Sequence, residues 1–225
     1  MAARANPLFD IAPAVAPAAD VSPTPVNALS RLAQIHTEAV ETARLANLLG
    51  RSLYATIALG TLAAIAIAFG GSGLSKTVAW SILMAVGLLA MLRAYGFAMR
   101  QPFERASLHA FAQDMHACLL YAGFTWGAGA FLALPASAPG AAVVLFAAAP
   151  AVALAALLRE RQAVLLFLAP AAGLASLACA VRPFADGALA AGLVLMACAA
   201  VAIAMQFIAG DKRHDAALPH ALIAS

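Results

Sequence analysis

Charge is what this chain has least of. Of its 225 residues, 13 are Lys or Arg and 10 are Asp or Glu, so charged side chains make up 10% of the sequence, against about 25% in an ordinary soluble domain. No acid stands in the middle of any apolar run. That excludes the intramembrane carboxylate on which a proton-coupled pump or antiporter is built. Histidine is missing between His116 and His214, which removes the general base an intramembrane serine protease needs in a late span. The Gly71-Ser72-Gly73 triplet lies in a loop, not in such a site, and no P-loop or dinucleotide fingerprint occurs. Cys118, Cys179 and Cys198 have no paired spacing, so they read as small packing residues and not as a disulfide or zinc framework.

What the chain does have is hydrocarbon. Its hydrophobic fraction is 64% and its mean hydropathy +0.92, more apolar surface than a soluble core of this length buries. A bilayer crossing takes roughly 20 mostly apolar residues. The stretch from Ser52 to Gly210 parses into six such segments, about 52–70, 78–98, 115–134, 140–158, 163–181 and 187–209. The expected fold is therefore all-α, a polytopic bundle of six transmembrane helices with the lipid bilayer as its solvent. The pI near 9.0 does not signal a nucleic-acid partner, because the basic residues form no patch. They fall instead at segment ends, with Arg31, Arg44 and Arg51 before the first, Arg100 and Arg105 after the second, Arg159 and Arg161 after the fourth, and Lys212 and Arg213 after the sixth. The alternate breaks hold Lys76 and Arg182. By the positive-inside rule both termini lie in the cytoplasm of a bacterial inner-membrane protein.

The flanking regions follow from composition. Residues 1–25 are rich in Ala and Pro and read as a disordered tail, with no apolar signal-peptide core behind Arg4. From 26 to 50, Leu29, Leu32, Ile35, Val40, Leu45 and Leu48 alternate with charged and polar residues. That spacing predicts an amphipathic cytoplasmic helix, either lying on the inner leaflet or dimerising to transmit a signal. Residues 51–210 form the transmembrane domain and 211–225 a short cytoplasmic tail, with no room for a catalytic domain.

Several positions within the spans invite a role. Ser52, Thr56, Gly60, Ala64 and Ala68 recur at every fourth place in the first span, the small-residue spacing that lets another helix come close. Trp80 opens the second span as an interfacial anchor, and Arg93 lies near its inner end, placed to snorkel or to meet a carboxylate or an anionic ligand. Between the second and third spans, Arg100 to Asp114 reads as a loop with a short surface helix carrying Phe103, Leu108 and Phe111. His109 and His116 would share a face if that helix continued, but no histidine in a facing span completes a metal or haem site. We expect no metal, cofactor or catalytic residue. Tyr121, Phe124 and Trp126 stand beside Gly123, Gly127 and Gly129 and either line a pocket or pack. Pro150 and Pro170 flank the Arg159-Glu160-Arg161-Gln162 turn at similar distances, and they read either as ordinary prolines that a membrane helix tolerates or as two kinks at one depth that make a cavity or hinge.

Taken together, Arg31-Leu32-Ala33-Gln34-Ile35, Ala79-Trp80, Leu92-Arg93, Gly123-Phe124-Thr125-Trp126-Gly127 and Pro135 give residues 30–210 an arrangement that resembles a known region. It is similar to the six-span N-terminal membrane region of proteobacterial sensor histidine kinases and diguanylate cyclases of the GGDEF type. In that family the spans act as an input module and a cytoplasmic domain supplies catalysis, so the resemblance implies a detached or truncated sensory module, present as a homo-oligomer or with a membrane signalling partner. Nothing after Gly210 resembles a phospho-accepting helix, an ATP-binding domain or a GGDEF loop. The expectation is a non-enzymatic protein relaying a membrane-borne or small apolar cue, with a transporter subunit and an assembly subunit as the other readings.

Overall fold

The computed structural model describes residues 25–69, 73–102, 104–135, 138–181 and 191–204, and among these every regular element is a helix. The Ala/Pro-rich tail, the C-terminal tail, Phe103, Arg182, Asp186 and Gln206 lie outside the described residues. The elements are α1 (Pro25–Phe69), α2 (Leu74–Ala98), α3 (Arg105–Leu132), α4 (Gly140–Leu158), α5 (Arg161–Val181) and α6 (Ala191–Ala204).

Four of them, α1, α2, α4 and α5, are long and apolar enough to cross a membrane, which is compatible with a membrane location. The third expected segment, 115–134, falls in α3, which is long but diluted by His109, Asp114, His116 and its glycines. It tolerates them because it is enclosed: Met115, Leu119, Ala122, Trp126 and Ala130 are all buried. The sixth expected segment is described only over Ala191–Ala204, and its ends lie outside the described residues.

Two boundaries differ from the sequence expectation. The amphipathic stretch and the first span are one uninterrupted helix, α1, 45 residues long. Proline occurs in it only at the first position, where a missing N–H costs nothing, and nothing later breaks it. The expected loop from Arg100 to Asp114 shrinks likewise, since α3 already starts at Arg105. A reciprocal capping box between Glu104 and Ser107 supplies that start, just after Pro102.

The chain forms two compact units, Met1–Val40 and Glu41–Ser225. In the first, the described turns of α1 are held by local bonds, Thr37 Oγ1 to the Ala33 carbonyl (2.8 Å) and Gln34 Nε2 to Glu38 Oε1 (3.1 Å). Leu32 and Ile35 are each 62% exposed there.

The second unit is organised around α3. Gly123 lies against the Phe167 carbonyl and Gly127 against Ala171, while His116 meets Glu160. Each pair is 44 residues apart, so α3 and α5 run parallel in one fixed register. Against α2 the direction is reversed: Trp80 meets Thr125 and Gly87 meets Tyr121. Lipid tails give helices little hydrophobic reason to associate, so close backbone approach supplies the attraction. A Cβ on Gly127 would come within 2.7 Å of Leu174 Cβ and 2.9 Å of the Ala171 carbonyl, and one on Gly123 would strike the Phe167 backbone.

Gly123→Ala should therefore force α3 and α5 apart at a cost of about 1–3 kcal/mol. Gly173→Ala, at a position where an added Cβ meets nothing within 4 Å, should be neutral or slightly stabilising. Thermal unfolding in detergent micelles checks this; equal midpoints for the two variants would show that the α3–α5 contact is not close.

Candidate functional site

The two prolines of the expected hinge both come to α3. Pro150 lacks the N–H that would bond the Phe146 carbonyl one turn earlier in α4. Trp126 replaces it: its Nε1–H donates to the Phe146 carbonyl at 2.7 Å, and its ring stacks on Phe146 with centroids 5.0 Å apart. Pro170 lies in α5 against Gly123, where a Cβ would stand 2.9 Å from the proline Cγ. Trp126, Pro150 and Pro170 thus share one level of the bundle. Phe124 points out of it and is exposed, and Tyr121 turns to α2, donating its hydroxyl to the Leu83 carbonyl at 3.2 Å.

Trp80 is not an interfacial anchor. It is fully buried, donates Nε1–H to the Thr125 carbonyl at 2.8 Å and packs edge-on against Trp126 at 5.7 Å. Gly129 makes that possible, because a Cβ there would lie 2.6 Å from the Trp80 Nε1.

The small-residue stripe of the first span follows the contact face for only part of its length. Ser52 and Thr56 are buried and bond to carbonyls of their own helix, Gly60 is half-buried near Leu88, and Ala64 and Ala68 are exposed. A strict four-residue spacing drifts about 40° per step around a helix of 3.6 residues per turn. The buried face instead mixes steps of three and four through Leu45, Leu48, Ser52, Ala55, Leu59 and Ala63.

The same face carries three charges, Glu41, Arg44 and Arg51, and these meet the ends of other helices. Arg51 Nη1 donates to the Leu157 carbonyl (3.3 Å), one of the acceptors that the last turn of α4 leaves without a helical donor. Glu41 accepts from Arg105 Nη2 at 2.7 Å and stands 3.6 Å from His109 Nε2. Arg44 reaches the turn between α4 and α5, where Nη2 donates to Glu160 Oε1 at 2.5 Å and to Gln162 at 3.1 Å.

That turn has only two residues outside the helices. Arg159 ends α4 in the left-handed conformation (φ 50°), and the Glu160 carbonyl accepts the first backbone bond of α5, from Val164. A left-handed non-glycine residue costs about 1–2 kcal/mol, and here the strain aims the Glu160 side chain inward. Its side chain is only 5% exposed, with His116 Nε2 3.6 Å from the same oxygen that Arg44 grips. That distance is too long for a good hydrogen bond but short enough for attraction to an imidazolium. Burial pushes the Glu160 carboxyl upward. The interactions with His116 and then Arg44 outweigh burial and hold it below the usual carboxylate range.

Glu160 is the residue that sequence reasoning passed over as part of a polar turn. The available signal was its isolation, since it is the only acid between Asp114 and Asp186 and stands between two arginines. Among the described residues no group of three His, Cys, Asp or Glu side chains is placed to hold a metal. Arg93 is exposed and lies on α2 beside a trough shared with Asp114. No protein-family model, curated protein or solved structure matches the chain.

Two predictions follow from this geometry. Trp126→Phe should leave the Phe146 carbonyl without a donor and cost about 1–3 kcal/mol. In a Pro150→Ala background, where α4 supplies its own N–H, the same substitution should cost clearly less. Equal costs in both backgrounds, read by unfolding in micelles, would contradict the substitution of indole for peptide N–H.

The second concerns pH. A carboxyl whose folded pKa lies below its unfolded value, about 4.3 for Glu, stabilises the fold above that value and loses its contribution as pH falls through the folded pKa. The stability gap between the wild type and Glu160→Gln should be about 1–3 kcal/mol at pH 7 and should close below about pH 4. A gap that widens on acidification would contradict the ion pair.

Proposed function

We propose that this chain is a multi-pass inner-membrane protein of sensory-input type, with six spans and both termini cytoplasmic. In this reading it is not an enzyme. It relays a membrane-borne or small apolar cue through α1 to a signalling partner, as its resemblance to kinase and cyclase input regions implies. The observation that carries the reading is the bond from Arg44, midway along the unbroken α1, to Glu160 in the α4–α5 turn.

A cue that alters packing near Trp126, Pro150 and Pro170 would move that turn, because α4 and α5 each carry a proline there and are joined by it. Arg44, Arg51 and Glu41 would pass the movement to α1. The charges of α1, of the start of α3 and of the α4–α5 turn gather at one end of the second unit, which supports a single cytoplasmic face by the positive-inside rule. The buried polar side chains among the described residues are Ser52, Thr56, Thr125 and Glu160. Ser52 and Thr56 are spent on their own helix, an arrangement that suits a relay better than a permeation path.

Gentle detergent extraction of the full chain tests the proposal. A kinase or cyclase should co-purify, and a Pro150→Ala/Pro170→Ala variant should insert normally yet change the partner's output several-fold. Unchanged output, co-purification with an unrelated enzyme complex, or isolation as a lone oligomer would each count against it.

A further inference from the structure

The trough between α2 and α3 is not used by the relay. It is an open groove of about 420 Å³ and adjoins a second, smaller one of about 280 Å³ that shares Ala94, Phe97 and Asp114 with it. The antiparallel register that sets Trp80 against Thr125 and Gly87 against Tyr121 continues inward until Arg93 stands opposite Asp114, and both line the trough. Its remaining walls are Ala90, Ala94, Ala117, Phe97 and Cys118.

Both charges are exposed, and neither forms an ion pair within 4.0 Å with any described residue. The trough therefore offers one cation, one anion and an alanine floor. His116, two residues beyond Asp114, is level with the α4–α5 turn and its flanking arginines. A turn rich in arginine belongs at the membrane–water boundary, so the charge pair of the trough stands at headgroup depth.

We infer that this trough binds a phospholipid whose headgroup joins a phosphate to a primary ammonium, the phosphatidylethanolamine type. Arg93 takes the phosphate, as guanidinium groups do with planar charge-assisted bonds. Asp114 accepts N–H donors from the ammonium. The alanines Ala90, Ala94 and Ala117 leave space for the glycerol and the start of an acyl chain beside Phe97. A volume of 420 Å³ lies within the ~300–1,000 Å³ typical of small-molecule sites. A glycerol headgroup would offer Asp114 only neutral hydroxyl donors and set a carboxylate beside a net anion. A choline headgroup has no N–H to give.

The inference rests on the membrane reading and not on signalling. Full-length protein purified in a mild detergent is titrated with phosphatidylethanolamine, phosphatidylglycerol or phosphatidylcholine of matched chains. Binding is read by native mass spectrometry and by the shift in unfolding midpoint. Phosphatidylethanolamine should bind about fivefold or more tightly than either of the others, and acyl-free phosphoethanolamine should give no shift. Asp114→Asn should remove the preference over phosphatidylglycerol. Arg93→Gln should weaken binding of all three lipids. Leu89→Ala, on the exposed face of α2, should change neither. Equal binding of the three lipids by the wild type, a preference that survives Asp114→Asn, or an equal response to the free headgroup would overturn the site. Protein that stays in solution without detergent would overturn the membrane reading as well.

Discussion

One carboxylate ties together elements that the chain places far apart. Glu160 is held by Arg44 of α1 and faced by His116 of α3, while its own backbone opens α5 directly after α4 has ended. A buried ion pair is weak evidence for stability in itself, since desolvation offsets much of the attraction. Its value here is geometric. Arg44 is half exposed, so the cost of burying charge falls mainly on Glu160, and the left-handed Arg159 keeps that side chain where the arginine can reach it.

The partners of Glu160 are in place because α3 and α5 cannot slide. Gly123 and Gly127 admit the α5 backbone so closely that a shift of one residue would drive side chains into it. The same register sets Trp126 beside the carbonyl that Pro150 releases, so a helix break is satisfied by a neighbouring helix instead of by water. Close backbone contact on one side of α3 and a substituted hydrogen bond on the other tie both α5 and α4 to it.

Apolar length and arginine placement were enough to read the all-helical class and the positions of α1, α2, α4 and α5 from the residues. They could not reveal that α1 is continuous, because the amphipathic and apolar patterns meet near Gly50 without a breaker, and pattern change resembles a boundary. Trp80 was misplaced for a related reason: a tryptophan at a span end belongs equally to a lipid interface or to a buried cluster, and only the room left by Gly129 decides. The every-fourth-residue stripe marked the right start at Ser52 and Thr56 but ignored helical drift. The two prolines were legible, whereas the donor that Trp126 gives to the carbonyl released by Pro150 was not, since it depends on a contact between residues 20 positions apart. Glu160 needed its partner 116 positions away before it looked like more than a turn.

The coupling between Arg44 and Glu160 tests the account most directly. In a double-mutant cycle with Arg44→Gln and Glu160→Gln, unfolded at pH 7 in micelles, we predict a favourable interaction energy of about 1–2 kcal/mol, with each single substitution costing nearly as much as the pair together. Single costs that simply add, to within about 0.3–0.5 kcal/mol, would mean that α1 is not held by the α4–α5 turn.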